Sequence, residues 1–134
     1  MRRAYLDACL LIHLVEGGHP PALAARRWVS RQSDVQLCVS PLVRLEVLVK
    51  PLRSGDSLRV QAYEQALAGQ LWLSIDDAVF ARALNLRSEH GLKTRDALHL
   101  ATALQHGYTE FWTNDNRLTN AAGALAVNVL EAPA

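Results

Sequence analysis

No apolar run in the sequence approaches the ~20 residues that a membrane-spanning helix needs. Met1, Arg2 and Arg3 followed by the apolar stretch 4–15 superficially resemble a secretion signal. Asp7 and His13 interrupt that stretch, and Gly17-Gly18-His19-Pro20-Pro21 after it offers no small-residue cleavage site. Only two cysteines occur, Cys9 and Cys38, and they show no metal-ligand spacing. They are expected to be buried, reduced thiols in a reducing compartment. His13, His19, His90 and His106 share no ligand spacing either. Ser40, Cys9 and the histidines assemble no nucleophile–base pair. Repeats, low-complexity segments and linkers are missing too. These absences predict a soluble, cytoplasmic protein without a membrane partner.

What is present is ordinary globular material. Half of the 134 residues are hydrophobic and 20% are charged, which excludes wholesale disorder and predicts one domain spanning residues 1–134. The formal charge of +1 gains meaning only when it is divided. If four of the 13 acids gather in one site, the rest of the chain holds 14 basic against nine acidic residues. That leaves a basic surface around an acidic hole, which suits a polyanion held by a metal site.

The pattern predicts strands at Arg3 to Leu6, Val35 to Val39, Gln70 to Ser74, Thr109 to Thr113 and Ala126 to Leu130. Between them it predicts helices over Ala8 to Val15, Pro20 or Pro21 to Arg31, Pro41 to Lys50, Ser57 to Ala68 and Asp76 to His90. Two more are expected from Thr94 to just before Gly107 and from Arg117 to Ala122. Strands alternating with helices argue an α/β domain with a mostly parallel sheet. In such sheets ligands collect beyond the carboxyl ends of the strands, where strand order reverses. Asp7 and Asp115 each stand just beyond such an end, and would face each other if the first and fourth strands are neighbours.

The helix Lys93 to Leu104 organises the rest. Thr94 is its expected N-cap, and Asp96 sits in the first turn, where the helix dipole favours negative charge. Ala97, Leu100, Ala101 and Leu104 recur at helical spacing as an apolar face of mostly small residues. Taken alone, Asp96 reads as a capping acid. Glu46 is more telling. On a helical projection it falls inside the arc of Leu42, Val43, Leu45 and Val49, where a carboxylate is costly unless paired or bound to a cation. A salt bridge to a neighbouring arginine and a metal or catalytic role both satisfy that requirement. Four acids thus come from four segments: Asp7, Glu46, Asp96 and Asp115. Brought together they would repel without a cation, and oxygen-only ligands suit Mg²⁺ or Mn²⁺. Ions so held activate water and stabilise charge developing on a phosphate. His99, three residues after Asp96, reads as a solvent-facing or packed histidine. Arg44, Lys93, Arg95 and Arg117 flank the acids and read equally as phosphate contacts or solvated charges.

Four motifs carry a family resemblance: Tyr5-Leu6-Asp7-Ala8-Cys9, Ser40-Pro41-Leu42-Val43-Arg44-Leu45-Glu46, Arg95-Asp96-Ala97-Leu98-His99-Leu100-Ala101-Thr102-Ala103 and Thr113-Asn114-Asp115. In this order and at these intervals the chain resembles PIN domains, and within them the VapC-type toxins of toxin–antitoxin pairs. The resemblance implies a three-layer α/β/α fold with strand order 3-2-1-4-5. It further implies an Mg²⁺- or Mn²⁺-dependent endoribonuclease that acts on RNA, forms a homodimer and is neutralised by a small antitoxin. Asp7 and Asp96 match the family's principal metal-binding acids, Glu46 and Asp115 the other two, and Thr113 and Asn114 the residues that support the last acid. Three other readings are a PIN-like nuclease of RNA processing, a phosphatase with an aspartyl nucleophile, and a non-catalytic binding module of the same fold. The phosphatase would want an acid at position 9, where Cys9 stands.

Overall fold

The computed structural model describes residues 2–108, 110–113, 118 and 126–128. Strands and helices follow in the order β1 (Arg2–Leu6), α1 (Ala8–Glu16), α2 (Pro20–Ser30), β2 (Val35–Val39), α3 (Pro41–Ser54) and α4 (Ser57–Ala68). They continue with β3 (Leu71–Trp72), α5 (Asp77–His90), α6 (Thr94–Gln105), β4 (Glu110–Thr113) and β5 (Ala126–Asn128). The sheet has the order β3-β2-β1-β4-β5, and every pairing is parallel. This is the α/β arrangement and the strand order expected from the resemblance.

β1 is the centre of the sheet, and its residues Ala4, Tyr5 and Leu6 are buried. They can be so only because helices cover both faces, as parallel sheets require. On one face Leu6 lies opposite Trp112 of β4, and the Trp112 ring meets Trp28 of α2 edge to face at 4.8 Å. On the other face Tyr5 lies opposite Phe111, their rings stacked at 5.6 Å, and Tyr5 meets His99 of α6 at 5.7 Å. The chain winds from β1 to β2 and β3 on one side, then crosses to β4 and β5 on the other. The reversal falls between β1 and β4, so the crevice beyond their carboxyl ends is the natural ligand site.

Several local expectations need correction. α3 does not stop before Pro51 but runs through it to Ser54. The true stop is Gly55, which turns left-handed at φ 69°, while the Asp56 N–H reaches back to the Pro51 carbonyl at 2.9 Å. The N-cap of α6 is Lys93, with Thr94 already helical and no side chain capping that end. Periodicity gives α2 an apolar face of Leu23, Ala24, Trp28 and Val29, but the helix buries Ala22, Ala25 and Trp28 and leaves Leu23 exposed. Cys38 is buried as expected, but Cys9 is exposed, on the side of α1 away from Ala8, Leu10 and Leu11. The expected helix 117–122 lies outside the described residues apart from Leu118, which is buried. Among the described residues no helix is long and apolar enough to cross a membrane.

At the amino edge of the sheet, far from the crevice, Arg2 grips Glu110 through two hydrogen bonds of 3.0 and 2.8 Å. The guanidinium holds the Glu110 carboxyl below its ordinary range, chiefly by donating to it. A carboxyl with a lowered folded value stabilises the fold above its unfolded value, and that contribution is lost as pH falls through the folded one. In Arg2→Met the contribution should vanish. The stability gap between wild type and variant should therefore be under about 1 kcal/mol near neutral pH, as for exposed pairs, and should narrow below about pH 4. Denaturant midpoints between pH 3 and 7 measure it; parallel curves would refute the pairing.

Candidate metal centre

Asp7 is placed by two local preferences at once. β1 ends at Leu6, and Asp7, in extended conformation, becomes the N-cap of α1, its Oδ1 accepting the Leu10 N–H at 2.9 Å. Its own N–H extends the pairing with β4 by bonding the Trp112 carbonyl at 3.3 Å. The second carboxylate oxygen accepts a hydrogen bond from the Thr113 hydroxyl at the end of β4. Asp7 is 2% exposed and Thr113 fully buried. Thr113 is expected to support Asp115; the bond described here is to Asp7. Asn114 and Asp115 lie outside the described residues.

Asp96 is the third residue of α6 and is 8% exposed. The Arg95 Nε lies 3.9 Å from its Oδ1. It also lines a cavity of about 200 Å³ together with His90, Gly91, Leu92 and Lys93 at the α5–α6 junction. Every residue from Asp96 to Ala103 is buried. The small side chains Ala97, Ala101 and Ala103 let this helix lie close on the sheet.

Glu46 needs a correction of geometry. The buried face of α3 is Val43, Val47, Leu48 and Pro51, whereas Leu45 is 62% exposed and Val49 is exposed as well. Glu46 sits at the margin of the buried face with its side chain 20% exposed. Its partner is not an arginine. Glu46 Oε1 lies 2.8 Å from Nε2 of His99, which is buried to 2%. His99 Nδ1 lies 2.7 Å from the Tyr5 hydroxyl, and that hydroxyl lies 2.7 Å from Ser40 Oγ. Burial pushes the Tyr5 phenol well above its ordinary range, with Asp7 and Glu46 adding to the effect, so it keeps its proton. Ser40 is the N-cap of α3, yet it makes no side-chain capping bond. A capping serine is worth about 0.5–2 kcal/mol, so that oxygen has been diverted to Tyr5. Sequence reasoning noted His99 by its spacing from Asp96. It missed the role because the partners come from β1 and α3.

The Tyr5–His99 contact also relates the acids. Two residues along β1 from Tyr5 is Asp7, a step of ~6.6 Å. Three residues back along α6 from His99 is Asp96, a step of ~4.5 Å. α6 runs back antiparallel to the strands before β4, so both steps lead towards the carboxyl edge. Asp7 and Asp96 therefore stand on the same side of the network, with Glu46 joined to it through His99. Among the described residues no three of His, Cys, Asp and Glu close into a metal-holding group. The donor chemistry nevertheless fits a hard divalent cation, because carboxylate oxygens are the ligands such ions take. A small cation needs only one or two such carboxylates plus water. Arg44 is committed to Glu64 through bonds of 3.0 and 2.9 Å, which leaves Lys93 and Arg95 as the described cations beside Asp96. Arg117 lies outside the described residues.

Residues 4–124 match the PIN domain family. The chain is 35% identical over 133 residues to Ribonuclease VapC46 of Mycobacterium tuberculosis, covering 97% of this chain and 98% of the relative. Among solved structures it is similar to a toxin–antitoxin complex from Klebsiella pneumoniae, at a TM-score of 0.77 and 25% identity, over 94% of this chain and 97% of that one. It shares the fold of Mycobacterium tuberculosis VapC20, described as a sarcin-ricin loop cleaving toxin, at a TM-score of 0.72 and 17% identity, over 88% and 94% of the two chains. A family match over most of the sequence and a relative of nearly equal length agree: the chain is a PIN domain of the VapC type.

Proposed function

We propose that the protein is a divalent-metal-dependent endoribonuclease, using Mg²⁺ or Mn²⁺, and the toxin of a toxin–antitoxin pair. The observation that carries this reading is the burial of Asp7 and Asp96 at the carboxyl edge, where the sheet reverses its winding, with Glu46 tied to the same network. The ribonuclease named among its relatives supports it. Asp7, Asp96, Glu46 and Asp115 would hold the cation, which supplies an activated water and neutralises charge building on the phosphate. Thr113 and the Leu10 N–H fix the Asp7 carboxylate from both oxygens, so it is set before any ligand arrives. Asp96 takes its orientation from the first turn of α6. Lys93 and Arg95 beside it draw the phosphate backbone inward. The chemistry needs no ribose hydroxyl as nucleophile, so the choice of RNA rests on binding.

Among the described residues, two exposed apolar surfaces suit partners. Leu45, Val49 and Leu52 recur on one exposed side of α3, and Phe80 and Leu84 stand exposed one turn apart on α5. Such uncovered apolar surface suits a second copy of the chain and a small antitoxin. The α3 stripe lies on the helix that carries Glu46, so a protein seated there is within reach of the acids. A basic side chain from it, placed among the carboxylates, would replace the cation and stop hydrolysis.

The test is induced expression of the protein alone and with its copurifying partner, mapping new RNA ends. Growth arrest and new RNA ends are expected from the protein alone, and neither with the partner. Removing the partner's basic residue should restore cleavage. Full inhibition by that altered partner would reject the proposed mode, and absence of new ends in the unpartnered protein would reject the function.

A further inference from the structure

His99 lies between Glu46 and the interior, and with a neutral imidazole the hydrogen bonds around it have one self-consistent order. A carboxylate oxygen can only accept, so the bond of 2.8 Å between Glu46 Oε1 and His99 Nε2 is donated by the imidazole. With the proton on Nε2, Nδ1 accepts from the Tyr5 hydroxyl at 2.7 Å. With its O–H directed at His99, the Tyr5 oxygen accepts from Ser40 Oγ at 2.7 Å. Each donor then meets an acceptor, and every proton in the chain Ser40, Tyr5, His99, Glu46 points towards the carboxylate. Ser40, Tyr5 and His99 are almost wholly buried, so none exchanges its partner for water at low cost. Such a chain fixes both the ring orientation and its tautomer, as partners behind a metal-site group do. It occupies only Oε1; the other oxygen of Glu46 has no hydrogen bond among the described residues.

We infer that His99 is a positioning residue for Glu46: it holds one carboxylate oxygen through Nε2 so that the other is presented to the cation site, with Tyr5 and Ser40 fixing the tautomer that makes this possible. The inference rests on the nuclease reading of the same site. It assigns His99 no contact with substrate. Its effect passes through Glu46 alone.

That last property gives the test. Mn²⁺ affinity is measured by calorimetry, and cleavage of a defined RNA by initial rates, in wild type, His99→Gln, His99→Asn, Tyr5→Phe and Glu46→Gln. His99→Gln can place an amide N–H near the Nε2 position and should stay within a few-fold of wild type. His99→Asn reaches only the Nδ1 position and leaves Glu46 without its donor. It should weaken Mn²⁺ binding and cleavage by about 10- to 100-fold, the usual cost of losing a partner behind a metal ligand. Tyr5→Phe frees the tautomer and should give a smaller loss in the same direction. In a Glu46→Gln background His99→Asn should add nothing to the loss of Mn²⁺ affinity. Equal losses with and without Glu46, or Gln no better than Asn at position 99, would overturn the positioning role. If His99→Asn does not fold, Tyr5→Phe decides: wild-type affinity in that variant overturns the tautomer chain. A wild type that neither binds Mn²⁺ nor cuts RNA defeats the nuclease reading itself, and is seen before any variant is made.

Discussion

Asp7→Asn is expected to lower RNA cleavage by well over a hundredfold while leaving the fold standing. Loss of a residue that merely supports a ligand already costs about 10- to 100-fold, and Asp7 is proposed as a ligand itself. Asparagine matches aspartate in volume and is an equally good N-cap, so the bond to the Leu10 N–H survives. The Thr113 hydroxyl can turn to suit either amide atom. What disappears is the charge. The same variant should lose most of the rise in melting temperature that Mn²⁺ or Mg²⁺ gives wild type, and EDTA should then make little difference to it. A cation binding only the folded state contributes about 2.7 kcal/mol at a hundredfold excess over its dissociation constant. Asp96→Asn should behave alike. Thermal melts with and without metal, beside cleavage rates, decide the matter. If wild type and both variants are stabilised equally, the acids do not share a cation.

Trp112→Ala should be the most damaging single change to the fold, costing about 3–5 kcal/mol of a total near 5–15 kcal/mol. Trp112 is the largest fully buried side chain. Its ring meets Trp28 at 80° between planes, and its Nε1–H reaches Glu110 Oε1 at 3.2 Å. Removing it opens a cavity between β4 and α2 and strands the contacts on both sides. The consequence extends to the candidate centre, because the Trp112 carbonyl receives the Asp7 N–H and the next residue is Thr113. Trp112→Phe keeps part of the volume and should cost clearly less. Urea unfolding of the three proteins measures this; a loss under about 1 kcal/mol for alanine would mean that the Trp28–Trp112 contact contributes little.

Where a property depends on neighbours in the chain, it was legible from the residues. Alternation of apolar runs with Gly and Pro breaks gave the order of elements, and the short connections forced parallel strands with helices between them. The positions of Asp7 just past β1 and of Asp96 in the first turn of α6 followed from the same local patterns. The adjacency of β1 and β4 rested on the resemblance of four motifs, not on periodicity. On α3 the apolar pattern misled: leucine and valine occur around most of the helix, and a projection cannot say which side meets a neighbour. The exposed Leu45 and Val49, and the buried Val47 and Leu48, were settled by packing.

The sequence by itself determined the α/β class, the order of the described elements and the places of Asp7 at a strand end and Asp96 at a helix start, because each is set within a few residues. Only the tertiary structure decided that His99 is buried rather than solvated, that Glu46 pairs with it rather than with arginine, and that Thr113 serves Asp7. Those choices join residues 53 and 106 positions apart. Nothing in the local pattern encodes them: a buried polar group takes whichever partner the packing of separate elements brings within hydrogen-bond reach.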